Sequence, residues 1–216
     1  MDHAQTELFE GTNRDLTMSQ YFTPAKLAQR VVEWAGVHDK TDSKRMHSVN
    51  PPRVLEPSAG NGALVRPLVA AGAEVVAYEL DERYEADLLK AGAVQVWCGF
   101  SFIEQCSANE QPRFDLCVMN PPYHENLAAE FIMHALEFAP RVVGIFQADI
   151  FYTVGRYEQL WTRARPTRAA MLARRPWSGE TDYVVLEIVK LQQVTHPGIV
   201  RYENTISMEF WPDAWR

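Results

Sequence analysis

Apolar residues recur along this chain at two spacings, one typical of strands and the other typical of helices. Short apolar runs suited to strands occur at 53–56, 74–79, 93–97, 114–119, 142–147, 169–172 and 183–191. Helical spacing lies between several of them, as with Leu127, Phe131, Ala135 and Phe138. Strands that alternate with helices indicate a mostly parallel sheet. We therefore predict an α/β fold with a mostly parallel, seven-stranded sheet and helices on both faces.

The N-terminal part of the chain interrupts this pattern twice. Residues 1–20 are polar and acidic, so we expect a flexible N-terminal segment. Thr23 and Pro24 are expected to be the N-cap and the first residue of a helix. A polar stretch over 37–52, which ends in two prolines, predicts a mobile loop.

The rest of the chain fits one domain. A length of 216 residues suits a single hydrophobic core, so we expect one domain over 21–216. The aromatic residues Phe210, Trp211 and Trp215 predict that the C-terminal tail packs on this domain. No composition shift marks a second folding unit.

The charge is unevenly distributed. A net charge of −7 argues against a protein that coats nucleic acid, because phosphate contacts dominate such binding. Six arginines nevertheless fall between positions 156 and 175, opposed there only by Glu158. The six are Arg156, Arg163, Arg165, Arg168, Arg174 and Arg175. This segment is a candidate basic face, although a solvated surface is the alternative.

Other signals bound the class of protein. The N-terminus has no apolar core of a signal peptide, and no apolar run is long enough to cross a membrane, so we expect a protein without membrane attachment. Cys98, Cys106 and Cys117 are an odd set without metal-site spacing, which favours reduced thiols and a cytoplasmic location. The six histidines show no paired ligand pattern, so we expect no metal.

A glycine-rich turn follows the first predicted strand. Glu56-Pro57-Ser58-Ala59-Gly60-Asn61-Gly62 separates that strand from the next helix. Glycines there let the backbone approach a ligand, and the helix N-terminus adds a positive dipole. Glu79 ends the second strand, where a carboxylate can accept hydrogen bonds from ribose hydroxyls. A generic tight turn and a solvated strand end are the alternatives.

A second motif follows the fourth predicted strand. Asn120-Pro121-Pro122-Tyr123 stops that strand, because the prolines remove backbone donors and restrict the preceding residue to extended geometry. An amide oxygen, a prolyl carbonyl and an aromatic ring then lie in a row. Two acceptors and a stacking face suit a planar base with an exocyclic amino group. A simple strand-ending turn is the alternative.

Three motifs together resemble a known enzyme family. Glu56 to Gly62 looks like motif I of S-adenosylmethionine-dependent methyltransferases, and Asn120 to Tyr123 looks like their motif IV in amino-methylating members. Gln20-Tyr21-Phe22-Thr23-Pro24 resembles the motif that precedes motif I in N6-adenine DNA methyltransferases of gamma-type order. The resemblance covers about residues 20–190 and implies a Rossmann-like class I methyltransferase fold with S-adenosylmethionine as cofactor.

The resemblance also implies roles for individual residues. Asn120 and the Pro121 carbonyl are expected to accept hydrogen bonds from the target amino group. Tyr123 is expected to stack on the flipped base, and Pro122 belongs to the same catalytic motif. Glu79 is expected to bind the cofactor ribose. The remaining expected cofactor contacts are Tyr21, Phe22, Thr23, Glu56, Ser58, Gly60 and Gly62.

One part of the family pattern is altered here. The family usually carries an Asp-Phe pair after the third strand, whose Asp holds the cofactor adenine. This chain has Cys98-Gly99-Phe100-Ser101-Phe102 instead. Ser101 with Phe102 is the expected replacement, or the alignment shifts by one residue.

The sequence thus predicts an enzyme that methylates the N6 amino group of adenine in DNA, either flipped from a duplex or in a single strand. Phosphate contacts are expected from Arg156, Arg163, Arg165 and Arg168. We expect no separate target-recognition domain. Either the loops between Phe151 and Asp182 read the target, or specificity is low, or a partner specificity subunit supplies it. Methylation of an rRNA adenine or a protein glutamine amide, and a catalytically silent binding subunit, are the alternatives.

Overall fold

A computed structural model describes residues 22–37, 51–105, 114–123, 127–151, 154–172, 182–191 and 206–211. Its strands are β1 (Arg53–Glu56), β2 (Glu74–Glu79), β3 (Gln95–Cys98), β4 (Leu116–Met119), β5 (Arg141–Gln147), β6 (Ala164–Leu172), β7 (Tyr183–Lys190) and β8 (Ser207–Trp211). Its α-helices are α1 (Ala25–Trp34), α2 (Val65–Ala70), α3 (Glu85–Lys90), α4 (Phe102–Gln105), α5 (Leu127–Phe138) and α6 (Val154–Arg156). Short 3₁₀ turns at Glu82–Tyr84 and Ala148–Phe151 and a π-helical turn at Tyr157–Trp161 complete the described elements.

All eight described strands form one sheet in the order β3-β2-β1-β4-β5-β7-β6-β8. The first five strands of that order pair in parallel, and β7 runs antiparallel to both β5 and β6. The chain order reverses at β1, which lies between β2 and β4. The carboxyl ends of β1, β2 and β4 therefore meet at one edge, where open α/β sheets bind ligands.

Helices cover both faces of the sheet, as the sequence predicts. Successive residues of a strand point to opposite faces, so Val54 joins the hydrophobic cluster under α1, α2 and α3, while Leu55 joins the cluster under α4 and α5. Both side chains are fully buried. The central strands are apolar on both sides because both sides are covered.

The eighth strand was not predicted. β8 pairs in parallel with β6 at the edge of the sheet, which makes eight strands instead of seven. Trp211 is only 2% exposed and meets the Trp34 ring of α1 at 5.9 Å between centroids. The Glu209 carboxylate accepts hydrogen bonds from the indole N–H groups of both Trp34 (2.7 Å) and Trp211 (3.0 Å). The described part of the tail thus packs on the domain, as expected; Trp215 lies outside the described residues.

The start of α1 differs from the prediction. The helix begins at Ala25, and the Pro24 carbonyl accepts the first helical hydrogen bond, from the Ala28 N–H. No side chain caps this end, so the prediction of Thr23 as the N-cap was wrong. The Thr23 hydroxyl contacts a different partner, described below. Most of the predicted loop over 37–52 and all of the predicted flexible segment over 1–20 lie outside the described residues.

Among the helices of the described ranges, none combines the length and the apolar character needed to cross a lipid bilayer.

Trp211→Ala should lower the free energy of unfolding by about 3–5 kcal/mol, because it empties a buried aromatic site against α1. Phe210→Ala is the matched control, since Phe210 is 65% exposed and its loss should change stability by about 0.5 kcal/mol or less. Chemical denaturation of both variants measures the difference. Equal losses would mean that β8 does not anchor α1.

Candidate functional site

Three strand ends and the segment before α1 form the candidate site. The turn after β1 joins β2 through the Ala59 N–H, which donates to the Tyr78 carbonyl at 2.9 Å. The same turn meets the end of β4, where the Ser58 hydroxyl donates to the Asn120 carbonyl at 3.3 Å. The structure therefore brings the glycine-rich turn and the Asn-Pro-Pro-Tyr motif into direct contact.

At Gly60 the backbone of this turn approaches the Glu79 carboxylate, to which the Gly60 N–H donates. Its φ of +51° lies in the left-handed region that favours glycine. A Cβ added there would lie 3.4 Å from the Phe22 ring, so Phe22 covers the turn. Phe22 in turn meets Tyr84 edge-on, with 5.9 Å between ring centroids. The Tyr84 ring of the 3₁₀ turn after β2 thus packs against the Phe22 ring that covers the glycine-rich turn.

Two buried carboxylates lie at the ends of β1 and β2. Glu56 is 1% exposed and accepts a hydrogen bond from the Ser58 N–H at 2.9 Å. Glu79 is 7% exposed and accepts hydrogen bonds from the N–H groups of Gly60 (2.6 Å) and Asp81 (2.9 Å). Glu79 is therefore not a solvated strand end.

Burial raises the pKa of both carboxyls. For Glu56, desolvation raises the pKa well above its ordinary value, and the nearby Glu79 charge raises it further, while the Ser58 and Asn120 backbone N–H groups lower it. For Glu79, desolvation again outweighs the lowering effect of the Asp81 and Gly60 N–H groups. Because both pKa values are raised, a cation bound beside these two acids would favour their ionised forms, so the site suits a cationic ligand.

One buried polar atom in the same turn is unsatisfied. Among the described residues, the Asn61 side-chain oxygen is buried and has no hydrogen-bond partner. A buried acceptor in that condition is costly, and a ligand that carries a donor relieves the cost. The site therefore suits a ligand that is positively charged and donates hydrogen bonds, as the amino and sulfonium groups and the ribose hydroxyls of S-adenosylmethionine do. No cluster of three or more His, Cys, Asp or Glu residues that could hold a metal occurs in the described ranges.

The Asn-Pro-Pro-Tyr motif forms a compact polar network. The Tyr123 hydroxyl donates to the Asn120 side-chain oxygen and lies 3.1 Å from the Ile145 carbonyl, a second acceptor on β5. The Tyr123 ring meets the Tyr183 ring of β7 at 5.8 Å between centroids. On the other side of the amide, Asn120 Nδ2 donates to the Thr23 hydroxyl at 3.0 Å. Pro121 is buried, and Pro122 is half-buried.

The residues after β3 are divided between surface and core. Gly99 has a φ of +76° and its N–H donates to the Glu79 carbonyl at 3.0 Å, so Ser101 follows a turn next to the carboxylate site. Phe102 is 1% exposed and packs against Tyr78 (5.4 Å) and His134 (4.7 Å between ring centroids). The Phe102 side chain therefore belongs to the core. Tyr21 lies outside the described residues.

The arginine segment is not a uniform basic face. Arg156 is 7% exposed and lies 3.5 Å from the Asp149 carboxylate. The Arg168 guanidinium stacks 4.0 Å from the Trp34 ring centroid and donates to the Trp34 carbonyl at 2.8 Å. Both are occupied in packing, contrary to the expectation that they form an exposed phosphate-binding face. Arg163 is exposed and Arg165 is half-buried; Arg174 and Arg175 lie outside the described residues.

Sequence reasoning missed two partners of the motif. Tyr183 and the Ile145 carbonyl reach Tyr123 because β7 returns antiparallel to β5, with Ile145 opposite Val185. Tyr84, which faces Phe22, was also missed. Only the sheet order could reveal the first pair, since neither Ile145 nor Tyr183 belongs to a recognisable motif.

Comparison with known proteins places the fold. No family model matches the chain. A ribosomal RNA small subunit methyltransferase of Arabidopsis thaliana is 30% identical over 125 residues, which are 51% of this chain and 35% of that protein. The chain thus matches about a third of the length of this relative.

Solved structures resemble the whole domain more broadly. Magnesium protoporphyrin IX methyltransferase from Synechocystis PCC 6803, solved with bound S-adenosylmethionine, has a TM-score of 0.55 at 18% identity over 77% of this chain and 79% of that chain. The M protein of the type I restriction enzyme EcoKI has a TM-score of 0.62 at 13% identity over 79% of this chain and 44% of that chain. With its mixed eight-stranded sheet and two helical layers, this chain has the class I methyltransferase fold.

Proposed function

We propose that this protein transfers a methyl group from S-adenosylmethionine to the N6 amino group of adenine in DNA. The single observation that carries the proposal is the contact between two sites. An acidic, glycine-rich turn suited to a cationic nucleoside lies against an Asn-Pro-Pro-Tyr motif suited to a planar amino group. The shared fold and the M protein of the type I restriction enzyme, a structural relative, support it.

The cofactor site is assigned to the turn after β1 and its neighbours. Glu79 is suited to bind ribose hydroxyls, and a cationic ligand nearby would favour the ionised form of the buried Glu56. Gly60 and Gly62 turn the chain with positive φ angles, and the Phe22 ring covers Gly60. When bound, S-adenosylmethionine supplies an electrophilic methyl group on sulfur, so the protein needs only to align the acceptor nitrogen with it.

Asn120 and Pro121 make the amino nitrogen that receives the methyl group a better nucleophile. The lone pair of an adenine amino nitrogen is delocalised into the ring, which makes it a poor nucleophile. Hydrogen bonds accepted from its two N–H groups, by the Asn120 side-chain oxygen and the Pro121 carbonyl, draw that lone pair back to nitrogen. Such acceptors are effective because they are fixed in place before the reaction. The product proton is acidic enough to pass to water.

Tyr123 supplies the stacking surface for the base. A base in a duplex must leave the helix to reach this motif, and an aromatic ring offsets part of the lost stacking. In the described structure the Tyr123 hydroxyl occupies the acceptor that the amino group needs. The base therefore exchanges one hydrogen bond for another instead of creating an unpaired acceptor.

A ribosomal RNA adenine is the second candidate substrate. The Arabidopsis relative at 30% identity is an rRNA methyltransferase, and the same motif could receive an adenine from either nucleic acid. The segment at Phe22-Thr23-Pro24, with its resemblance to DNA methyltransferases, favours DNA. The M protein is one part of a restriction enzyme, and by analogy a separate subunit could supply sequence specificity here.

Incubation with labelled cofactor and DNA, RNA or protein in parallel, followed by nucleoside analysis, tests the assignment. N6-methyl-2′-deoxyadenosine in the DNA arm is the expected product. Asn120→Ala should lower kcat by about hundredfold or more, because one transition-state hydrogen bond is lost. Cofactor affinity, measured by calorimetry, should change little. Label only in the RNA or protein arm overturns the DNA assignment, and cofactor binding without any transfer favours a silent binding subunit.

Arg163 and Arg165 are the remaining candidates for phosphate contacts. Arg163→Gln and Arg165→Gln should each weaken DNA binding similarly across sequences and flatten the log–log salt dependence by about one unit, because one phosphate contact is lost. Lys90→Gln is the matched control, since Lys90 is an exposed cation on α3. Binding assays over a salt series measure the slope. Parent-like slopes in both arginine variants would mean that these side chains form a solvated face.

Glu56→Gln should separate stability from cofactor affinity. The raised pKa of Glu56 means that the folded protein holds its proton more tightly than the unfolded chain. Its contribution to stability is therefore present below the ordinary pKa of 4.5 and is lost as pH rises through the folded value. At neutral pH the variant should be more stable than the parent, and should bind S-adenosylmethionine less tightly.

The measurement compares unfolding free energies of parent and variant from pH 4 to 8. The difference should grow with pH in favour of Glu56→Gln. Glu74→Gln, at an exposed glutamate on β2, controls for removal of a charge alone. A constant difference across this range contradicts the assigned burial effect.

A further inference from the structure

Thr23, which precedes α1, does not cap the helix. A threonine in front of a proline at a helix start commonly caps the helix, which stabilises it by about 1 kcal/mol. Here no side chain caps α1. The buried Thr23 hydroxyl instead accepts a hydrogen bond at 3.0 Å from the side-chain nitrogen of Asn120, which lies 97 positions further along the chain.

This contact bears on the chemistry because the asparagine side chain ends in two different polar atoms, an oxygen and a nitrogen. Rotation by a half-turn about its last torsion exchanges the oxygen, which accepts, with the nitrogen, which donates. An amino group presented to the nitrogen meets another donor and gains nothing. The reaction proposed above therefore requires that the Asn120 oxygen face the base and that the nitrogen face away.

The amide has that orientation in the structure, with a hydroxyl at each of its polar atoms. Asn120 Nδ2 faces the Thr23 hydroxyl, and Asn120 Oδ1 faces the Tyr123 hydroxyl. The Tyr123 contact is the one that an incoming base must replace. The Thr23 contact lies on the other side of the amide, so it is retained while the base binds.

Thr23 is itself held rigidly. Pro24 restricts the backbone of the residue before it to extended geometry, so the Thr23 side chain is fixed relative to α1. The adjacent Phe22 ring packs against Gly60 in the turn after β1. The hydroxyl thus points at Asn120 from a segment that is anchored on both sides.

We propose that Thr23 is a positioning residue that holds the Asn120 amide with its oxygen toward the acceptor base. This inference rests on the proposed function and adds a second role to a residue expected only near the cofactor. The Thr23 hydroxyl also places the segment before α1 in direct contact with the Asn-Pro-Pro-Tyr motif.

Thr23→Val tests the proposal, because valine keeps the branched shape and removes the hydroxyl. With the cofactor saturating, kcat should fall by about tenfold or more, because the hydrogen bond that orients the Asn120 amide is lost. The cofactor Kd should change by less than about threefold. Thr23→Ser, which restores the hydroxyl, should recover most of the lost kcat. Thr23→Ala should behave like valine and replaces it if the valine variant fails to fold.

A second measurement does not depend on activity. The side-chain amide signals of Asn120 in a ¹⁵N–¹H spectrum are assigned by their absence in Asn120→Ala. They should shift in Thr23→Val and stay near the parent positions in Thr23→Ser. Unmoved signals in the valine variant overturn the proposal, because the contact then does not hold the amide.

The two readouts separate this inference from the proposed function. A loss in cofactor affinity as large as the loss in kcat means that Thr23 acts through the cofactor, which overturns the positioning role. A serine variant as slow as valine overturns it too. A parent enzyme that methylates no substrate overturns the proposed function and the catalytic part of this inference, while the spectra still decide whether Thr23 orients Asn120.

Discussion

The burial of two carboxylates at the ends of adjacent parallel strands is the constraint around which the site is built. Register places Glu56 opposite Ala77 and Glu79 opposite Cys98, so both side chains emerge at the same edge of the sheet. Neither acid is neutralised by an arginine or lysine that the described contacts reveal; backbone N–H groups from the glycine-rich turn bind them instead. Such an arrangement costs stability, which is the usual sign that a site is organised for a ligand.

The same constraint explains the turn between β1 and α2. A backbone N–H can donate to the Glu79 carboxylate only if the chain comes close, and Gly60 with its left-handed φ permits that approach. The Ser58 hydroxyl then reaches the end of β4. The proposed cofactor site and base site are therefore joined at the ends of β1 and β4. Their relative position is set by the geometry of the sheet and not by flexible loops.

Sequence reasoning succeeded where the signal is local and failed where it depends on sheet order. The central strands were predictable because both of their faces are apolar, and the glycine-rich turn was predictable because its residues follow a strand directly. β8 was missed because only Trp211 of its five residues is buried, while the apolar Met208 and Phe210 are exposed, so the strand shows no simple apolar face. Glu209 is accommodated because Trp34, Trp211 and Arg168 surround it, and these bonds lower its pKa.

Arg168 shows that the role of a charged residue also depends on the order of the strands. By sequence it belongs to a basic cluster, whereas in the fold it lies against Trp34, Glu187 and Glu209. A count of charges along a segment cannot separate a cation that meets solvent from one that ties a strand to a helix. The distinction needs β6, β7 and β8 to be adjacent, which follows from the topology and not from the composition.

Tyr123 makes the proposed site selective as well as receptive. Its hydroxyl satisfies the Asn120 oxygen while no base is bound, and a buried acceptor left without a donor costs about 1–3 kcal/mol. Under the proposed function, a base with an amino group displaces the hydroxyl and restores the hydrogen bond. A base with a carbonyl at the same position displaces it and leaves two acceptors facing each other. Discrimination against such bases therefore arises from the unpaired Asn120 oxygen, and it requires that the amide not turn over to offer its nitrogen.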